Sequence, residues 1–149
     1  MLRRTVRTLS VVAALTTVLL FILTGCPSNR DGMPGQLATA EEQTLAATRS
    51  GVLALDLWVR HRSSRQLAGV QLSDARDQIA KAYNDIAVLR AQDPADLDRQ
   101  ALLTDAMTSI IAPLNEANAA VRELPASRPV DQLKRSLTEM SDQLEREYH

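Results

Sequence analysis

Apolar residues recur at intervals of three and four in four separate stretches of the chain, the period of one face of an α-helix. Leu45, Thr48, Val52, Leu55 and Val59 form the first stripe. Thr39 stands three residues before Glu42, the spacing of a capping box at a helix start. A first helix is therefore expected over about 39–66, with Ser50-Gly51 as its weak point and Gly69 in the following loop. Ala75, Ile79, Ala82, Ile86 and Leu89 mark a second helix over about 73–92. Asp93 is placed to cap a third, with Pro94 at its first position and Asp96 and Asp98 in or beside its first turn. Leu103, Met107, Ile110, Leu114, Ala117, Val121 and Leu124 carry that helix across about 94–124, and Pro113 within it predicts a kink. Pro129 opens a fourth helix over 129–148 on Val130, Leu133, Leu137, Met140 and Leu144. No stretch alternates with the two-residue period of a strand.

Short connections join neighbouring antiparallel helices, so the expected fold is all-α: an antiparallel up-down-up-down bundle over residues 39–149. Three helices plus an extension is the structural alternative. No repeat of 20 to 50 residues is apparent, which disfavours a solenoid.

The N-terminus has a different pattern. Arg3, Arg4 and Arg7 precede a stretch, Leu9 to Leu23, in which every residue is apolar, Ser or Thr. Its length is below the roughly 20 residues that a spanning helix needs, which favours an export signal over a membrane anchor. The stretch ends in Leu23-Thr24-Gly25-Cys26, and this segment resembles the lipobox of bacterial lipoproteins. The resemblance implies cleavage between Gly25 and Cys26, a diacylglyceryl group on Cys26 and acylation of its new amino terminus. Several acyl chains on one residue give stable anchoring where a single chain gives only marginal binding. Pro27 stands where inner-membrane retention signals have Asp, so the cell membrane and an outer membrane both stay open. Residues 1–25 are thus read as a cleaved signal. Residues 26–38, with two Pro and two Gly in PSNRDGMPGQLA, are read as the lipidated cysteine and a flexible tether.

Of the 149 residues, 45% are apolar, 3% aromatic and 23% charged, with a formal net charge of −1. Removing the signal takes three arginines and leaves 14 basic against 18 acidic residues, a net −4. That gives no global basic field, and nucleic acid is not an expected partner. Trp58, Tyr83 and Tyr148 are the aromatics that remain, so the core must be aliphatic and alanine-rich, as closely packed helices require.

Catalytic material is sparse. The chain has no His-Glu-x-x-His, no Gly-x-Ser-x-Gly and no glycine-rich phosphate loop. His61 and His149 are the two histidines; Trp58, three before His61, breaks the Glu-x-x-His of carboxylate-bridged di-iron bundles. Cys26 is the one cysteine, so neither a disulfide framework nor a thiolate metal site has ligands. The expectation is a non-enzymatic protein with no metal and no cofactor besides the covalent lipid.

Three features carry binding readings. Trp58, Arg60, His61, Arg62 and Arg65 form a basic, aromatic cluster, four of them at i, i+3, i+4 and i+7, which reads either as ordinary cations near a helix end or as a docking surface. Asp56, inside a run apolar on nearly every side, reads as half of an i, i+4 pair with Arg60 on an exposed strip, as a partly buried acid awaiting a partner, or as part of a helix enclosed by other subunits. Ala106, Pro113, Ala117 and Ala120 read as close packing or as a groove for an acyl chain, with Met107 and Met140 available to line it. The expected function is that of an extracytoplasmic, lipid-anchored scaffold or accessory subunit. It would bind another envelope protein, or itself, through the Trp58 cluster. The alternative is a binder of a lipid or other small apolar ligand between the helices.

Overall fold

The computed structural model describes residues 32–149, which form one compact unit. The expected signal, the expected cleavage between Gly25 and Cys26, the expected lipidation of Cys26 and the first part of the expected tether lie outside the described residues. Four helices make up the unit: α1 (Met33–Val59), α2 (Arg65–Ala87), α3 (Pro94–Val121) and α4 (Val130–Tyr148). The described chain is all-helical, without strands, and the helices pack as a bundle. α1 packs on α2, α3 and α4, and α3 packs on α2 and α4, so α1 and α3 make the close diagonal.

Side-chain pairs fix the directions. Arg49 reaches Glu145 and Asp56 reaches Lys134, so α1 and α4 run antiparallel; Ser73 with Asn118, and Gln100 with the Ile86 carbonyl, show the same for α2 and α3. The chain enters α1 at the end of the bundle that also holds the α2/α3 loop and the last turn of α4. The α1/α2 turn and the α3/α4 loop share the opposite end.

The core is aliphatic. Leu37, Leu55, Leu72, Ile79, Met107, Ile110, Leu114, Leu133 and Leu137 are inaccessible to solvent, and alanines such as Ala47, Ala68 and Ala117 fill the places where helices approach closely. Two buried hydroxyls on α1 are satisfied locally: Thr44 donates to the Ala40 carbonyl and Thr48 to the Thr44 carbonyl, each at 2.7 Å.

Helix ends differ from the sequence expectations. α1 starts at Met33 and not at Thr39, so 33–38 is helix rather than tether. Pro34 fits the first turn, where no intrahelical N–H is needed, and Leu37 extends the stripe back into the core. The Thr39 hydroxyl donates to the Gly35 carbonyl from within the helix, so it does not cap. α1 also stops at Val59 instead of about 66, and α2 starts at Arg65 instead of about 73, with the Ser64 hydroxyl accepting from the Leu67 amide at 3.2 Å. Gly69 is consequently buried inside α2, and α2 ends at Ala87 rather than 92. Asp93 caps α3 as expected, its carboxylate accepting from the Ala95 amide at 2.9 Å. α3 ends at Val121 rather than 124, and α4 opens at Val130. Both long helices are unbroken: α1 runs through Gly51, and α3 runs through Pro113.

Candidate functional site

The two non-glycine residues with positive φ among the described residues are His61 (56°) and Glu123 (60°), and they occupy equivalent places. After α1 the His61 amide donates to the Trp58 carbonyl and the Arg62 amide to the Leu57 carbonyl. After α3 the Glu123 amide donates to Ala120 and the Leu124 amide to Ala119. Both are the paired hydrogen bonds of a Schellman ending, in which the left-handed residue is usually glycine. Here it is a histidine and a glutamate, and both side chains line one hollow at the end of the bundle opposite the point of chain entry.

α1, α2 and α4, with the turns that follow α1 and α3, line this hollow of about 490 Å³. Trp58 and Val59 from the last turn of α1, with Pro129 and Val130 at the start of α4, give it an apolar base. Arg65 opens α2, and its guanidinium pairs with the Glu123 carboxylate across the rim. Asp131, in the first turn of α4, completes the rim, which therefore presents His61 and Arg65 beside Glu123 and Asp131. Of the seven exposed large hydrophobic residues among the described ones, Val59 lines the hollow, and Leu53, Leu67, Val70 and Leu124 lie within about two helical turns of this end.

The basic cluster expected from the sequence is thus split. Trp58, His61 and Arg65 come together, but through a turn and a second helix instead of one helical face. Arg60, which caps α1, points to Asp56, its Nε 2.9 Å from Oδ2. Arg62 is exposed in the turn, outside the lining of the hollow. The partners Glu123, Pro129, Val130 and Asp131 had no signal in the sequence, being more than 55 residues away along the chain.

Asp56 has the Arg60 partner that its spacing suggested and a second partner that it did not. Besides Arg60 it accepts a hydrogen bond from Lys134 Nζ of α4 at 2.9 Å, which joins the two helices near the hollow. The Lys134 hydrogen bond, reinforced by Arg60, holds the Asp56 carboxyl below its usual range. Glu116 is similarly lowered, chiefly by the Arg128 side chain and then by the Arg128 amide, which donates at 2.6 Å. That pair ties the α3/α4 loop beneath the hollow.

A different acid sits near the other end. Glu41 on α1 is 3% exposed and its Oε1 has no hydrogen-bond partner; His149 Nε2 is 3.8 Å away. Burial raises its pKa, and the neighbouring Glu42 and Glu145 push the same way against His149 and Arg49. Nothing in the sequence marked it.

Of the four small residues noted on α3, Pro113 and Ala117 are buried in packing and Ala120 is half-buried; Ala106 lines a groove between α3 and α4 together with Met140, while Met107 is core. Among the described residues no group of three His, Cys, Asp or Glu side chains is arranged to hold a metal ion, and no helix is long and apolar enough to cross a membrane. No family model, no curated protein and no solved structure matches the chain.

Proposed function

We propose that this protein is a lipid-anchored, non-enzymatic component of a bacterial cell envelope that docks another envelope protein on the Trp58 end of its helical bundle. The observation that carries the reading is the hollow itself: the end of α1 and the start of α4 give it an apolar base, and the start of α2 with the turns after α1 and α3 give it a rim of both charge signs, with Val59 an exposed apolar residue in its lining. Interface centres are built this way, an aromatic anchor inside a polar rim. Retaining His61 and Glu123 in left-handed conformations at this one place also fits a functional surface, because strain of that kind concentrates where side chains are needed.

The anchor is read from the lipobox at Cys26. α1 is 27 residues long, so about 40 Å of helix separates Met33, the residue nearest Cys26 in the bundle, from the docking end. A partner could thus be held clear of the membrane surface. Self-association through the same surface is a variant of this reading; it would appear as a concentration-dependent mass in light scattering.

Photo-crosslinking in living cells tests the reading. A reactive residue replacing Arg62, in the turn beside the hollow, is expected to give a discrete protein adduct, and one replacing Asp142, exposed on α4 toward the opposite end of the bundle, is not. Position 142 is the control for the outcomes that follow. No adduct at position 62, or equal adducts at both positions, overturns it. Cys26→Ser is expected to abolish acyl labelling and to release the chain from the membrane fraction; retention with the signal intact would favour an uncleaved anchor.

A further inference from the structure

Ion pairs tie parts of the bundle together: Arg49 meets Glu145 and Asp56 meets Lys134 between α1 and α4, Arg65 of α2 meets Glu123 in the turn after α3, and Arg128 of the loop meets Glu116. One stretch of the α3/α4 seam carries carboxylates on both sides and no such pair. From Leu102 to Ile110 on α3 and from Met140 to Glu147 on α4, about two helical turns, the helices part to leave an open groove of about 420 Å³. Buried Ile110 and Leu144 form its floor, and half-buried Leu102, Ala106 and Met140 line its sides. Its charged lining residues are Asp105 on one helix and Glu147 on the other. Neither belongs to an ion pair among the described residues, and no Lys, Arg or His lines the groove; Glu147 accepts only a hydrogen bond from Gln143 at 2.8 Å.

Two carboxylates on opposite walls of an apolar slot repel one another, and the seam becomes electrostatically complete when a cation enters between them. The apolar floor rewards a ligand that brings hydrocarbon along with that charge, and the volume is that of a small-molecule site. We propose that the α3/α4 groove binds an organic cation with an apolar body, an alkyl or aryl ammonium or guanidinium, whose charged head lies between Asp105 and Glu147 and whose body rests on Ile110 and Leu144. A fatty acid or anionic phospholipid is the wrong sign for this lining. The site lies away from the Trp58 hollow and stands independently of the docking reading.

Methyl-methionine NMR of the full chain in nanodiscs of zwitterionic lipid tests this, because Met140 lines the groove while Met33 and Met107 report elsewhere. Hexylammonium is expected to shift the Met140 methyl saturably and to leave Met33 in place, with hexanoate and hexanol giving no saturable shift. The double variant Asp105→Asn, Glu147→Gln keeps the shapes of both side chains and is expected to weaken hexylammonium binding roughly five- to tenfold, as does raising the salt concentration. Equal response to hexanol or hexanoate would make the groove merely apolar, undiminished affinity in the double variant would remove the carboxylates from the site, and no Met140 shift would remove the site altogether. Each of these overturns the proposal.

Discussion

Holding an L-residue at positive φ costs on the order of 1 kcal/mol, and glycine at the same place avoids the clash while adding freedom to the unfolded chain. His61 and Glu123 both bear that cost, and both side chains line the hollow. Residues serving only to end a helix would be better replaced by glycine. His61→Gly and Glu123→Gly are therefore each expected to raise the unfolding free energy by about 0.5 to 1 kcal/mol in urea denaturation. The same substitutions should diminish the adduct formed from position 62, since they remove an imidazole and the acceptor of Arg65 from the rim. Greater stability with an undiminished adduct would reduce both residues to helix terminators. Lower stability of the Glu123 variant would show that its ion pair with Arg65 outweighs the backbone strain.

Among the elements, the approach of α1 to α3 depends on an absent side chain. A Cβ on Gly51 would stand 2.7 Å from Leu114 Cδ2, so the fully buried Leu114 side chain would have to shift. Glycine, read from the sequence as the weak point of the first helix, is what lets the diagonal pair close. Gly51→Val should lose roughly 2 kcal/mol or more, overpacking exceeding any gain in helix propensity, and urea unfolding of the variant measures it. The same contrast explains what was legible beforehand. Stripes such as Leu103, Met107, Ile110, Leu114 are dictated by burial along the whole helix, so the four helices and the all-α bundle could be read from spacing. Ends are decided by single backbone events. His61 terminates α1 without the glycine that usually signals it, and Arg62 and Arg65 then continue the helical spacing by coincidence across a turn. At the start of α2 the inward residues are Ala68, Gly69 and Leu72 while Leu67 and Val70 face solvent, so the apolar pattern there hides the helix face. The site was half legible for a related reason. Trp58, His61 and Arg65 are near in sequence, but Glu123, Pro129, Val130 and Asp131 join them only when α3 and α4 are in place.

For the molecule as a whole, acids of opposite tendency lie toward the two ends, and this shapes how stability responds to pH. Asp56 and Glu116, near the docking end, are lowered by Lys134 and Arg128; their stabilising contribution is complete above their ordinary values of 3.8 and 4.5 and is lost as pH falls through the lower folded values. Glu41, toward the end of chain entry, is raised by burial; its contribution is complete below its ordinary value of 4.5 and is lost as pH climbs through the higher folded value. The contributions of these three groups should therefore be greatest together around pH 4.5, falling at higher pH because Glu41 must ionise while buried, and falling below about pH 4 as the two ion pairs are protonated. Urea midpoints between pH 8 and pH 2.5 trace this curve. Glu41→Gln should raise the midpoint at neutral pH and flatten that limb while leaving the acid limb unchanged; a lower midpoint at neutral pH would mean that the Glu41 carboxylate is stabilised where it stands. The spatial separation adds a second readout. Because the acid-sensitive pairs join α4 to α1 and hold the α3/α4 loop, hydrogen exchange on entering acid should quicken first around Trp58 and Pro129, while the helical turns around Glu41 keep their protection.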